Sequence, residues 1–327
     1  MRVLVTGGAG FIGSHVVRSL VLKGHQVVVI DNLSTGHRAA LPDVPLEVAD
    51  FSDLDVLSRL GESGPFHAVI HLAADCQVGE SVAHPERYYR NNLIRSLELL
   101  EWARQAGWGG MVFSSSAAVY GEPLEIPITE EHQRVPTNPY GATKRSFEEA
   151  LEAYRIAYDL PFVSLRYFNA AGADPAGDLG EDHGQAESHL IPRLLTAARQ
   201  PGRRFMIFGD DYPTSDGTPV RDFVHVCDLA AAHLLALDLL AKGEGGCFNL
   251  GNGEGFSVRE VISTCARITG VEIQAEVTRR RPGDPAILVA SSSLARERLG
   301  WRPAFPDLEA MVRTAWAWHD RHPGGFS

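Results

Sequence analysis

Hydrophobic positions in the first half of the chain fall into short β-branched runs separated by longer amphipathic stretches. That alternation predicts parallel strands whose crossover helices cover both faces of one sheet. The runs place strands at residues 3–6, 27–30, 46–48, 68–72, 111–114 and 162–166. The amphipathic stretches place helices at 11–23, 91–105 and 141–159, and Gly24 supplies the left-handed stop of the first. Beyond Asn169 the texture changes. Residues 170–187 are rich in Gly, Asp and Pro and read as a long loop where the chain leaves the sheet. Helices follow at 190–199, 228–241, 257–269 and 307–320, the third supported by the capping-box spacing of Ser257 and Glu260. No internal repeat, coiled coil or low-complexity tract interrupts this pattern.

Composition narrows the class. The 327 residues are 44% hydrophobic and 22% charged, which suits a globular enzyme of two domains or one domain with a smaller lobe. A formal charge of −11 argues against nucleic-acid or anionic-membrane partners, which need a basic surface. Cys76, Cys227, Cys247 and Cys265 are widely spaced and read as small, mostly buried thiols of a reducing cytosol. No stretch is apolar for long enough to span a bilayer, and Met1-Arg2 runs straight into the first strand, leaving no room for a signal peptide. A cytoplasmic location is therefore expected. The thirteen histidines show no H-E-x-x-H spacing, so no metal is expected. His71 and His225 read as satisfied core histidines, Trp316 and Trp318 as packing residues, and Asp174, Asp178, Glu181 and Asp182 as a solvated loop.

Candidate chemistry begins at the first turn. Thr6-Gly7-Gly8-Ala9-Gly10-Phe11-Ile12-Gly13 joins the first strand to the first helix. Gly7, Gly10 and Gly13 follow G-x-x-G-x-x-G, and Gly8, Gly10 and Gly13 also satisfy G-x-G-x-x-G. Missing side chains let a pyrophosphate approach the backbone, and the positive end of the next helix faces it. By itself this motif can be only a turn. Asp31, ending the second strand, changes the reading: a carboxylate there accepts hydrogen bonds from the adenosine ribose and repels a 2′-phosphate. NAD is favoured over NADP. Asp50 and Phe51, after the third strand, are placed to flank the adenine. The expected fold is α/β, a Rossmann-type doubly wound parallel sheet with a smaller C-terminal α/β substrate-binding lobe. Residues 1–169 would hold the dinucleotide, the chain re-entering that domain around 220–250, and 170–327 would mainly bind substrate.

A second constellation follows the fifth strand. Ser114-Ser115-Ser116 lies at its carboxyl end, where such sheets bind ligands. Tyr140 and Lys144 stand four apart at a helix start, on one face. A free tyrosine has a pKa of about 10, so service as a base near neutrality needs a shift worth about 4 kcal/mol. An ammonium 4–6 Å away supplies about 3–4 kcal/mol at an effective dielectric near 20. Lys144 is thus expected to make Tyr140 a usable base, with Ser116 donating to the substrate oxygen. In isolation, a tyrosine and lysine at this spacing would be a chance helix pair; downstream of the glycine turn and the serine-ended strand they are not.

Together these residues resemble the extended short-chain dehydrogenase/reductase family, and over nearly the whole chain the similarity is to its UDP-galactose 4-epimerases. The glycine motif, Asp31-Asn32-Leu33-Ser34, Tyr140 with Lys144, and Leu165-Arg166-Tyr167-Phe168-Asn169 are general to much of that family. Val78-Gly79-Glu80-Ser81-Val82, Phe113-Ser114-Ser115-Ser116-Ala117 and the stretch 208–222 are more specific. The resemblance implies catalysis by Tyr140, Lys144 and Ser116 through transient oxidation at C4 of a UDP-sugar, with NAD recycled in each turnover. It implies NAD contacts from Gly7, Gly10, Phe11, Ile12, Gly13, Asp31, Asn32, Asp50 and Phe51. Further implied NAD contacts are Leu72, Ala73, Ala74, Asn91, Ser114, Tyr140, Lys144, Tyr167 and Phe168. The substrate contacts it implies are Ser116, Tyr140, Asn169, His189, Leu190, Ile207, Phe208, Arg221, Arg281 and Asp284. Arginine suits phosphate independently, through its planar bidentate donors. A homodimer built on the helices around 91–105 and 141–159 is also implied.

Two positions depart from the family pattern. Cys76 stands where many epimerases carry a lysine near the nicotinamide ribose, and Leu288 where some carry a tyrosine beside the C2 substituent of the sugar. Epimerisation of UDP-N-acetylhexosamine or UDP-pentose therefore stays open. A 4,6-dehydratase would need an acid and a carboxylate base where Ala117 and Ala118 stand. A non-catalytic NAD-binding protein would have no use for the intact Ser116, Tyr140 and Lys144.

Overall fold

The computed structural model describes residues 1–184, 187–200, 202–281 and 284–326. Strand β1 (Arg2–Thr6) leads through the glycine turn into α1 (Phe11–Leu22), then β2 (Gln26–Asp31), β3 (Leu46–Val48), α2 (Leu54–Gly61) and β4 (Ala68–His71). Next come α3 (Val78–Ala83), α4 (Pro85–Tyr88), a wide π-type turn at Tyr89–Ile94, α5 (Arg95–Gln105) and β5 (Met111–Ser116). Helix α6 (Pro139–Tyr158) and β6 (Phe162–Tyr167) follow. The remainder holds β7 (Asn169–Ala171), α7 (Leu190–Arg199), β8 (Phe205–Phe208), β9 (Val220–His225), α8 (Val226–Leu240) and β10 (Gly246–Leu250). It closes with β11 (Gly255–Ser257), α9 (Val258–Thr269), β12 (Ala275–Thr278), β13 (Ile287–Leu288) and α10 (Leu308–Arg321).

Seven parallel strands form one sheet in the order β10-β6-β5-β4-β1-β2-β3. Side chains alternate across a strand, so neighbours in sequence enter different cores. Val3 and Val5 pack with Val16, Val17 and Leu20 of α1 and with Leu229 and Leu237 of α8. Leu4, between them, joins Leu99 of α5 and Phe147 of α6 on the opposite face. This is the doubly wound α/β class. Strand order reverses between β1 and β4, which opens a crevice at the carboxyl ends of the strands. A separate core gathers α7, α9 and α10 around Phe205, Ile207 and Phe223. Strand β9 pairs there with β11, β13 and β7.

Several sequence expectations hold and some need correction. His71 sits 2.7 Å from the Thr6 hydroxyl and 2.9 Å from that of Ser96, and His225 lies 3.0 Å from that of Thr314, so both are satisfied core histidines. Trp318 is buried, and Trp316 packs against the lobe core. Of the four free thiols only Cys265 is fully buried, and Cys76 is exposed. The long loop begins later than expected, because Asn169–Ala171 is a strand paired with β9.

Nor is that loop simply solvated. Asp174 accepts from Arg18 at 3.1 Å, Asp182 accepts from the Phe326 amide at 2.9 Å, and Glu181 is buried. Only Asp178 among the four acids stays largely in water. The segment wraps back onto α1 and α10, close enough that a Cβ on Gly180 would lie 2.2 Å from the Trp318 ring. Among the described residues, no helix is long and apolar enough to cross a membrane.

Candidate active site

The glycine turn is built for close approach. A Cβ on Gly13 would lie 2.1 Å from the Gly7 carbonyl oxygen, and one on Gly7, itself at φ 72°, 2.6 Å from the Ala73 nitrogen. Gly10 caps α1 with no side chain over its open N–H groups, and no acidic residue occupies the first turn, where Phe11 and Ile12 lie. A diphosphate fits such a helix end. Asp31 is buried at the end of β2 and accepts from the amides of Ala9 (2.9 Å) and Leu33 (2.8 Å). Burial raises its pKa against the pull of those two bonds. These features fit the cofactor expected from the sequence.

Other predicted cofactor residues ring this turn with different exposures. The Leu72 and Ala73 amides both donate to the Thr6 carbonyl, at 3.0 and 3.1 Å, which holds residues 72–74 beside it. Asn32 caps its own turn by accepting from the Ser34 amide. Asp50 ion-pairs with Arg95 at 2.6 Å, whereas Phe51 is buried with its ring 5.0 Å from His71. Asn91 lies in the π-type turn and donates to Asn92. Tyr167 is buried against His233, and Phe168 packs with Ala117 and Leu288.

The structure brings Ser116, Tyr140 and Lys144 together. Lys144 donates to the Ser114 carbonyl at 2.7 Å, with its nitrogen 5.8 Å from the centre of the Tyr140 ring. A hydrogen bond joins Ser116 and Tyr140. What makes this possible is Gly141, where a Cβ would lie 2.3 Å from the Ala118 carbonyl oxygen. Asn138 caps α6 by accepting from the Gly141 amide at 2.9 Å, so the helix starts two residues before the expected Gly141.

One physical expectation is reversed. Burial raises the Tyr140 pKa, Cys76 adds to the rise, and only the Ser116 bond lowers it. The Lys144 ammonium is spent on the Ser114 carbonyl, and burial pushes Lys144 itself down to about 8. Cys76 is exposed at the cleft wall, yet the protein crowding its thiol pushes it up to about 11, so it stays neutral. Sequence reasoning also missed what stands behind Lys144. Glu148, one turn further along α6, accepts from Ser115 (2.6 Å), Arg166 (2.7 and 2.9 Å) and Arg134 (2.9 Å). Its spacing of four from Lys144 was the available signal.

On the substrate side, Arg221 in β9 bonds the Asp284 carboxylate, and the Arg281 guanidinium lies 3.9 Å from the centre of the Phe208 ring. The Asp284 amide donates to the Arg281 carbonyl at 3.3 Å, and Pro282 and Gly283 lie outside the described residues. Leu288 pairs in register with Arg221. Asn169 is exposed at the head of β7, and Leu190 opens α7. Ile207 has its side chain in the lobe core. Arg193 of α7, not singled out from sequence, has its pKa lowered by burial and by Arg281 and Arg203. It adds a third cation to this side. His189 joins Glu181, His183 and Glu187 in a polar cluster at the start of α7.

Comparison with known proteins agrees with this geometry. The model of the NAD dependent epimerase/dehydratase family matches residues 3–251. A UDP-glucose 4-epimerase of Halalkalibacterium halodurans is 52% identical over 328 residues, spanning 100% of this chain and 98% of that protein. A crystal structure of a UDP-glucose 4-epimerase superposes with a TM-score of 0.96 at 46% identity, covering 100% of both chains. The enzyme from Bifidobacterium longum, in complex with NAD+ and UDP, has a TM-score of 0.95 at 38% identity over 99% of this chain and 100% of its own.

Proposed function

This chain belongs to the NAD dependent epimerase/dehydratase family, and from that premise we propose that its cleft interconverts UDP-glucose and UDP-galactose by transient oxidation at C4. The carrying observation is the convergence of Ser116, Tyr140 and Lys144 at the carboxyl end of β5, beside a glycine turn fitted to a diphosphate. A sugar C4 hydrogen is not acidic, because no carbonyl neighbours it, so inversion requires oxidation. NAD, held by the glycine turn and Asp31, would supply the hydride acceptor and donor for that carbon and, when oxidised, a positive charge. Tyr140 removes the 4-hydroxyl proton and returns it to the 4-keto oxygen after the sugar has presented its other face. Ser116 holds that oxygen by hydrogen bonding, and Lys144 keeps positive charge beneath the tyrosine. The regenerated cofactor needs no second substrate.

In this reading residues 1–169 with β10 hold NAD, and most of 170–327 holds the UDP-sugar. Arg221 and Arg281, with Arg193 beside them, would take the diphosphate by the charge pairing that suits guanidinium. Asn169, His189, Leu190, Phe208 and Asp284 would border it, with Ile207 contributing backbone only. A homodimer fits the exposed apolar residues Ile94, at the end of the π-type turn before α5, and Ile156 and Tyr158 on α6. Light scattering tests this, and a monomer at micromolar concentration would contradict it. Four free thiols suit a reducing cytoplasm.

The decisive assay incubates the purified protein with UDP-galactose and no added cofactor, and follows UDP-glucose. No conversion would overturn the assignment. UDP-N-acetylgalactosamine belongs in the same assay, because Leu288 in register with Arg221 is smaller than a tyrosine there.

A further inference from the structure

The cluster at the start of α7 has a geometry that ordinary ion pairing does not require. Its members are two Glu-x-His triplets six residues apart, Glu181 with His183 and Glu187 with His189. Four ligand atoms, one from each residue, lie within 4.8 Å of one another. The His183 Nδ1 sits 3.4 Å from the Glu181 carboxylate and 3.2 Å from that of Glu187. The His189 Nδ1 bonds the same Glu181 oxygen and lies 3.5 Å from Glu187.

An imidazole N–H points one way and serves one acceptor well. Here each histidine turns its Nδ1 toward both carboxylates: the two share one oxygen of Glu181, and each faces a different oxygen of Glu187, so the two nitrogens and the carboxylates surround a common centre. A tetrahedral ion with bonds of about 2.1 Å would hold its ligand atoms about 3.4 Å apart. The His183 nitrogen, 3.4 Å from Glu181 and 3.2 Å from one Glu187 oxygen, already stands close to that spacing, whereas His189 lies 3.5 Å from the other Glu187 oxygen and hydrogen-bonds Glu181 at 2.5 Å, a bond the ion would part. Glu181 is 5% exposed and His183 and Glu187 less than a fifth exposed, while His189 at 47% leaves one side of the centre open for an ion to enter.

We propose that Glu181, His183, Glu187 and His189 form a binding site for one divalent cation of the zinc class, tying Glu181 and His183 to the head of α7. Imidazole nitrogen with carboxylate oxygen is a donor set that zinc accepts, and four protein ligands close the shell as structural zinc sites do. Metal entry displaces the protons now shared between histidines and carboxylates, so binding releases acid. Through His189 the site adjoins the proposed UDP-sugar cleft, but the oxidation at C4 needs no metal.

The test uses untagged holoenzyme stripped with a chelator, dialysed against micromolar Zn²⁺ and counted by elemental mass spectrometry. One zinc per chain is expected for the natural protein, falling at least tenfold in His183→Ala. No retained zinc, or equal retention by that variant, overturns the site. Co²⁺ provides a check that does not depend on the variant folding. The natural protein loaded with Co²⁺ should show the visible absorption of a tetrahedral ion, absent in Glu187→Gln, and its absence from the natural protein rejects the proposal.

Discussion

In the proposed mechanism Tyr140 moves the proton although burial opposes its ionisation, and the Ser116 hydrogen bond is what lowers its pKa. Tyr140→Phe should lower kcat by about 10²–10⁴, the usual contribution of a positioned base, while bound NAD measured by absorbance stays near one per chain. Equal turnover in the variant would remove Tyr140 from the mechanism. Lys144, held down to about 8 by burial, loses its charge just above neutrality. The rate should therefore fall on the alkaline side with a midpoint near that value, and a profile flat to pH 10 would show that Lys144 is not the charge that matters. At this scale the placement of the glycines, Asp31, Tyr140 and Lys144 was legible because it is set by local spacing. Glu181 and His183 were not: they read as loop residues and become a cluster only when Glu187 and His189 fold back onto them.

Elements matter through how closely they touch. Helix α6 rests on the turn after β5 at a point where any side chain on residue 141 would meet the Ala118 carbonyl. Gly141→Ala should force the helix outward, costing about 1–3 kcal/mol as other overpacked sites do. Because Tyr140 and Lys144 ride on that helix, kcat should fall more steeply than denaturant stability. A variant of natural activity would show that the contact is slack. The long helices and central strands were readable from their periodicity, most within two residues at each end and Leu190–Arg199 to the residue. Strands β8, β11, β12 and β13, of two to four residues, were not named from sequence. Such short pieces contain too few residues to display a period, and β12 is largely exposed. Helix α2 also escaped, though Asp53 caps it by accepting from the amides of Asp55 and Val56.

For the molecule as a whole, several buried histidines set the response to acid. Burial pushes His15 and His233 down to about 4 and His71 and His225 down to about 3. The unfolded chain, with ordinary histidines near 6.5, then binds more protons between about pH 4 and 6.5, so stability falls as pH falls through that window. At pH 5.5 each such histidine costs about 1.4 kcal/mol. Asp222, raised by burial to about 6, works in the opposite direction and offsets part of the loss. Urea melts should therefore show stability dropping by several kcal/mol between pH 7 and 5, and an unchanged midpoint would contradict these burials. The doubly wound class was legible from the alternation of runs and amphipathic stretches. The seventh strand, β10, was foreseen only as a return of the chain somewhere between 220 and 250, because its pairing with β6 lies about 80 residues away in sequence.

That late return has a bearing on synthesis. The outer edge of β6 is made first and waits for β10 while about 80 more residues leave the ribosome, about 4–16 s at ordinary elongation rates. During that interval a nascent chain presents an unpaired parallel edge, able to pair with a neighbour on the same message. Slow translation between codons 168 and 245 should therefore increase aggregation of this protein, without any change in its sequence.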